Sequence, residues 1–126
     1  MLNVDIAKLE QLVVDLRTLV KEGLLATDIW DRATGLSLAG YNAQPAAVAL
    51  FNQLTEEIGS TLGGAGFPNL GRYYLLELEG DNAVVILQHG ADLLQGMLLN
   101  AKKVNMGILF SIAIPKSLEG VAKSRG

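Results

Sequence analysis

The chain contains no cysteine, which excludes disulfides, thiolate metal sites and thiol nucleophiles together. It contains one histidine, His89, and one tryptophan. A single histidine between a strand end and Gly90, with only Asp92 close by in sequence, is a poor base for a metal site or for acid–base catalysis. Charged residues are scarce at 18%, and the balance is apolar: half of the 126 residues are hydrophobic and mean hydropathy is +0.33. No apolar run approaches the ~18–20 residues needed to span a bilayer, so membrane insertion is not expected. Met1-Leu2-Asn3-Val4-Asp5 lacks a basic region followed by an apolar stretch, so the expectation is a cytoplasmic protein without a signal peptide. The apolar excess must then be buried in a sheet covered on both faces, in an oligomer interface, or in both.

Basic residues are few as well. Net charge is −3, which argues against a nucleic-acid partner. The charge is uneven: Met1 to Ala101 holds twelve acidic and five basic residues, and Lys102 to Gly126 one acidic and five basic. That tail is either aimed at an acidic partner or is a last helix with Lys123 and Arg125 near its negative dipole end.

The length fits one domain over 1–126. Leu2, Ile6, Leu9, Val13, Leu16 and Val20 recur at helical spacing, with Leu12 and Leu19 widening the stripe. They predict an amphipathic helix from Asn3 to Glu22, capped by Asn3, with Asp5 in its first turn and Gly23 as its stop. Leu24 to Asp31 and Leu36 to Tyr41 read as strands of a hairpin turning at Asp31-Arg32-Ala33-Thr34-Gly35. Pro45 suits the first turn of a helix running to Leu62, with Ala47, Leu50, Phe51, Leu54 and Ile58 on the face expected to meet the sheet. Arg72 to Glu79, Ala83 to Gln88 and Leu93 to Asn100 read as three strands. The Val84-Val85-Ile86-Leu87 run points to a strand buried on both sides. The segment from Ile108 to Ile114 has strand propensity, but Ile108, Ile112, Leu118 and Val121 share a helical face. A helix loosened at Pro115 is the favoured reading. The expected fold is α+β: a five-stranded antiparallel sheet in the order α-β-β-α-β-β-β-α, the middle helix on one face and the terminal helices on the other.

Catalytic constellations do not emerge. The glycines from Gly63 to Gly71 follow a helix, precede a strand and include no lysine, unlike a phosphate-binding loop. Glu56 and Glu57 diverge by about 100° around a helix. Glu77 and Glu79 share a strand face beside a turn, where carboxylates are solvated. Ser37, Ser60, Ser111 and Ser117 lack a nucleophile-elbow context. Neither enzymatic activity nor a cofactor or metal is expected.

The middle helix carries only two charges, Glu56 and Glu57, where a monomer's surface helix normally shows a charged outer face. A second stripe of Val48, Asn52, Thr55 and Gly59 is uncharged and compact. Because Gly59 costs roughly 1 kcal/mol relative to Ala, close approach of a second helix is one explanation; a glycine tolerated near a helix end is the other. Tyr73 and Tyr74, if on an edge strand, add a surface for strand pairing with a twin. Val48, Asn52, Thr55, Gly59, Tyr73 and Tyr74 are therefore the expected dimer interface.

The order of elements resembles the roadblock/LC7 family over nearly the whole chain. The resemblance is carried by the hairpin Asp31-Arg32-Ala33-Thr34-Gly35-Leu36-Ser37-Leu38-Ala39-Gly40, the Pro45 helix, and Asn105-Met106-Gly107-Ile108-Leu109 leading into the last helix. It implies a homodimer, or a heterodimer with a related domain, with one sheet continuous across the twofold axis. It also implies a platform for small Ras-like GTPases, or an adaptor subunit of a larger complex without a nucleotide-linked role. The last helix is most similar to that of prokaryotic members, including the bacterial gliding-motility GTPase regulators, which stimulate hydrolysis without donating a catalytic residue. Pro115 departs from a simple helical ending. Small-molecule sensing in a helix–sheet cleft has no support from the sequence, since it needs polar groups converging in an apolar pocket.

Overall fold

A computed structural model describes residues 3–126; Leu2, counted above in the first helical stripe, lies outside the described residues. Helix α1, Ile6–Val20, buries Leu9, Leu12, Val13, Leu16 and Val20. Its cap is Asp5, whose carboxylate accepts from Lys8 N–H at 3.3 Å; Asn3 does not cap it. The reason is a tie to the far end of the chain. Val4 bridges Arg125 and Asp5 N–H donates to Ser124 O at 2.7 Å, which holds the backbone extended until residue 5. Nor is Gly23 the stop. Lys21 ends α1 at φ 57° and a 3₁₀ turn, Lys21–Gly23, leads into the sheet. Gly23 is needed for a different reason: a Cβ there would lie 2.6 Å from Val104 Cα.

Strands β1 (Leu24–Asp31) and β2 (Ser37–Tyr41) form the first hairpin. Its turn is fixed by Gly35 at φ 74° and by the Asp31 carboxylate, which accepts from Thr34 Oγ1 at 2.7 Å and Ala33 N–H at 3.3 Å. Helix α2, Pro45–Gly64, starts at its proline and runs two residues beyond Leu62. Strands β3 (Tyr73–Leu78), β4 (Asn82–His89) and β5 (Leu93–Asn100) follow. The sheet is antiparallel in the order β2-β1-β5-β4-β3.

Side-chain alternation along the central strands feeds two cores. Val85, Leu87 and Ile29 join the α1 residues on one face, and Val84, Ile86 and Trp30 pack with Val48 of α2 on the other. This is why Val84 to Leu87 are all buried.

The last segment is helical throughout. It comprises α3 (Met106–Ile108), a π turn (Leu109–Ala113) and α4 (Ile114–Ser124), started by Asn105 Oδ1 accepting from Ile108 N–H at 3.0 Å. Pro115 has no N–H to give residue 111, and its ring crowds that carbonyl. The loosening falls in the turn before it, as a π turn. The extra residue rotates the face: Leu109, Ala113, Ser117 and Val121 are buried, while Ile112 is exposed. Of the face expected from Ile108, Ile112, Leu118 and Val121, Val121 is buried and Leu118 packs on the same core. Ile108 is only half-buried and Ile112 is turned outward, their places taken by Leu109 and Ala113. The whole segment lies with α1 on one side of the sheet.

Candidate interaction surface

Helix α2 meets the sheet with the stripe that was expected to face outwards. Val48 and Thr55 are buried against the chain's own sheet, and Asn52 is half-buried. The sheet face under α2 explains it. Trp30 and Tyr74 present large rings with polar tips, and such tips need partners once buried. Asn52 supplies one, accepting from Trp30 Nε1 at 2.8 Å and donating to Arg32 O at 3.1 Å. Thr55 supplies the other through its hydroxyl, 2.8 Å from Tyr74 Oη. Burial pushes the Tyr74 phenol up, against the opposing effects of Thr55 and the Arg32 charge. Gly59 sits over the chain's own loop, where an added Cβ would be 3.2 Å from Asn69 Oδ1. Contrary to the expected outward placement, Val48, Asn52 and Thr55 are thus engaged by the chain's own sheet, and Gly59 lies beside its own Asn69.

The apolar stripe is split between sheet and flank. Of the residues expected on the sheet, Phe51 does pack against the Trp30–Val84–Ile86 core and Ala47 lies over the sheet beside it. Leu54 and Ile58, by contrast, are half-buried on the flank, and Leu50 is 57% exposed. We expect Asn52→Ala to destabilise the fold by about 2 kcal/mol, because it strands the Trp30 N–H and the Arg32 carbonyl; urea midpoints of variant and wild type measure this.

Strand β3, with Tyr73 and Tyr74 at its start, is an edge of the sheet. Its register against β4 runs unbroken from Tyr73–Leu87 to Leu78–Asn82, whereas the β1–β2 pair at the opposite edge is irregular at Ile29/Trp30. Natural edges are blunted by bulges, proline or charged side chains; β3 has no bulge or proline and a single charge, the exposed Glu77. Tyr73 is exposed, and its ring lies 6.2 Å from that of Phe110, itself exposed on the π turn. An open edge thus adjoins apolar side chains.

The basic tail is neutralised internally. Lys102 pairs with Asp81, Lys103 with Glu22, Lys116 with Asp15, Lys123 with Glu119 and Arg125 with Asp92. Exposed pairs contribute little to stability, but they leave no unopposed positive patch there. Arg125 does more, gripping both Asp92 oxygens at 2.9 and 2.7 Å and donating to His89 O at 2.9 Å. The grip holds the Asp92 carboxyl below its usual range.

His89 is buried. Its Nε2 lies 2.8 Å from Oε1 of the fully buried Gln95, and Gln95 Nε2 donates to Ser117 Oγ of α4 at 3.4 Å. Burial pushes the imidazole pKa down, more than Gln95 and Asp92 raise it. Its role is to satisfy a polar core under the last helix. As pH falls through about 6.5 the unfolded chain takes up a proton that the fold refuses, so stability drops from there down to the folded-state value. We expect His89→Gln to remove that part of the loss, read as a flatter urea midpoint between about pH 7 and pH 5.5. Among the described residues no three potential metal ligands converge, and no helix is long and apolar enough to cross a membrane.

A chain with this sheet order, α2 alone on one face and the terminal helices on the other, can be compared with solved structures as a whole. No protein-family model and no curated protein matches the sequence. Myxococcus xanthus MglB is similar in structure, with a TM-score of 0.77 at 9% identity over 100% of this chain and 96% of that one. The gliding protein MglB of Thermus thermophilus gives 0.74 at 9% identity, over 98% of each chain. A Roadblock/LC7 domain from Streptomyces avermitilis gives 0.62 at 14% identity, over 90% of this chain and 92% of that one. The fold is that of the roadblock/LC7 domains. The match to Myxococcus xanthus MglB spans all of this chain, so the last helical segment falls within it.

Proposed function

We propose that the chain is a non-catalytic, dimeric protein-binding platform that regulates or scaffolds a small Ras-like GTPase in the cytoplasm of a bacterium. The observation that carries this reading is the end-to-end structural likeness to gliding-motility MglB proteins. The chain's own chemistry is compatible with it: its histidine is committed to a buried hydrogen bond, and its C-terminal cations are paired with its own carboxylates.

Self-association is supported by the regular β3 edge, which has no bulge or proline and one charge, and by the Leu50–Leu54–Ile58 flank of α2. Pairing two β3 strands about a twofold axis extends the sheet to ten strands and brings the exposed α2 flanks towards each other. Tyr73 remains in this interface. Tyr74 contributes backbone only, since its hydroxyl is held by Thr55.

The test mixes the purified chain with the candidate Ras-like GTPase loaded with a non-hydrolysable GTP analogue or with GDP. The proposal expects a complex favoured by the GTP form and a changed hydrolysis rate. Equal binding of both forms with no rate change would place the chain with structural adaptor subunits instead, and no binding to either would overturn the GTPase reading.

A further inference from the structure

Beneath the N-terminal half of α2 the sheet surface has a trough, and one carboxylate lies in it. Asp28 is on β1, and its cross-strand neighbours are Gly40 on β2 and Gly96 on β5. Neither flanking residue has a side chain; Ala43 packs over the Gly40 side, where an added Cβ would lie 3.0 Å from its Cβ, and the space runs on the Gly96 side. An added Cβ at Gly96 would meet Ile86 and Trp30 at 3.4 Å, and one at Gly40 would lie 3.0 Å from Asp28 Oδ1. Trp30, Phe51, Val48 and Leu98 wall the remaining space, a cleft of about 140 Å³.

Asp28 is only 8% exposed. Ser37 Oγ donates to its Oδ1 at 2.5 Å, but among the described residues no cation pairs with it. Burial pushes its carboxyl pKa up, partly offset by the bond from Ser37. A buried carboxylate without a counter-charge is costly unless something supplies one. A metal ion is a poor candidate, because hard cations need several oxygen ligands and no three acidic or histidine side chains converge among the described residues. An apolar cleft with a single acid matches a different ligand: an apolar body for the walls and one positive group for the acid. Cavities of about 150 Å³ admit a benzene-sized molecule, and the Trp30 ring adds a π face for a cation.

We propose that the Asp28 cleft binds a small organic primary ammonium ion, its charge on Asp28 and its six- to eight-atom apolar body against Trp30, Phe51 and Leu98. Such a site makes the chain a sensor of small amines as well as a platform, and it does not depend on the GTPase reading. Opening or filling the cleft acts directly on the seating of α2.

Trp30 is the chain's lone tryptophan and reports on the site without a label. The experiment titrates the full chain at neutral pH with cyclohexylmethylamine, and separately with cyclohexylmethanol, while following Trp30 emission. The expected result is a saturable change with the amine at a Kd on the order of 1 mM, and binding of the neutral alcohol weaker by about tenfold. Asp28→Asn keeps the acceptor for Ser37 and should lose that tenfold preference while still binding the alcohol. Ala47→Phe, which fills the cleft from the α2 side, should abolish both responses. Thermal melts establish that each variant is folded, and either one alone suffices to decide. No saturable response, equal affinity for amine and alcohol in the wild type, or an amine response unchanged in both variants would overturn the proposal. A cleft occupied by a second copy of the chain would appear as no amine response together with a mass change in Ala47→Phe, and would overturn it too.

Discussion

Gly23→Ala should lower the unfolding temperature by on the order of 10 °C or more, although it adds one methyl group. The added Cβ would lie 2.6 Å from Val104 Cα and 2.9 Å from Val104 N and Cβ. The obstacle is backbone, so no rotamer change relieves it. Val104 is itself buried in the core beneath α1, with its N–H bonded to Asn100 O at 2.9 Å. Moving it breaks that turn and opens the core, a cost of about 3 kcal/mol at the upper end of overpacking effects. Gly63→Ala is the matched control. Nothing lies within 4 Å of its added Cβ, and it is the penultimate residue of α2, so it should stabilise by up to about 0.5 kcal/mol through helix propensity and a less flexible unfolded chain. Calorimetric scans of the two variants should therefore move in opposite directions; equal melting temperatures would show that the Gly23–Val104 contact can relax without cost.

The second large effect concerns association. Leu50→Glu combined with Tyr73→Lys should convert a dimer into a monomer, weakening association about 100-fold or more, equivalent to ~2.7 kcal/mol. Leu50 is 57% exposed and Tyr73 38% exposed, so neither change disturbs the fold greatly. Each places a charge where two copies are proposed to meet, and lysine on an edge strand is itself a device against pairing. Gly59→Glu, which helix spacing alone would recommend for the same purpose, strikes the chain's own Asn69 loop and tests folding instead. Sedimentation of the double variant reads the outcome: a mass unchanged from a dimeric wild type would remove both α2 and β3 from the interface.

The sheet was legible because its signals are local. Gly35 in the β1–β2 turn, Gly80 at φ 73° beside Asp81 at φ 60° in the β3–β4 turn, and the unbroken apolar run of β4 each declare themselves within a few residues. Termini were less so. Asp5 rather than Asn3 caps α1 because residue 4 is paired with residue 125, a contact 121 positions away in sequence. Pro115 announced a disturbance, but not that it would take the form of a π turn one turn earlier and rotate the buried face.

The clearest miss was α2. By hydrophobicity the Ala47, Leu50, Phe51, Leu54, Ile58 face belonged on the sheet; in the structure only Ala47 and Phe51 of it reach the sheet, beside the compact stripe. A signal existed in the polar tips of Trp30 and Tyr74, strand residues that, once buried, require acceptors or donors such as Asn52 and Thr55. The Asp28 cleft depended on strand register. Only the pairing of β1 with both β2 and β5 brings Gly40 and Gly96 to either side of one acid.

The most direct test of a self-associating platform is the solution mass of the unmodified chain by light scattering across a concentration series. One chain is 13.4 kDa. A mass of twice that value, held on dilution into the micromolar range, is the expected result; 13.4 kDa at every concentration would contradict it.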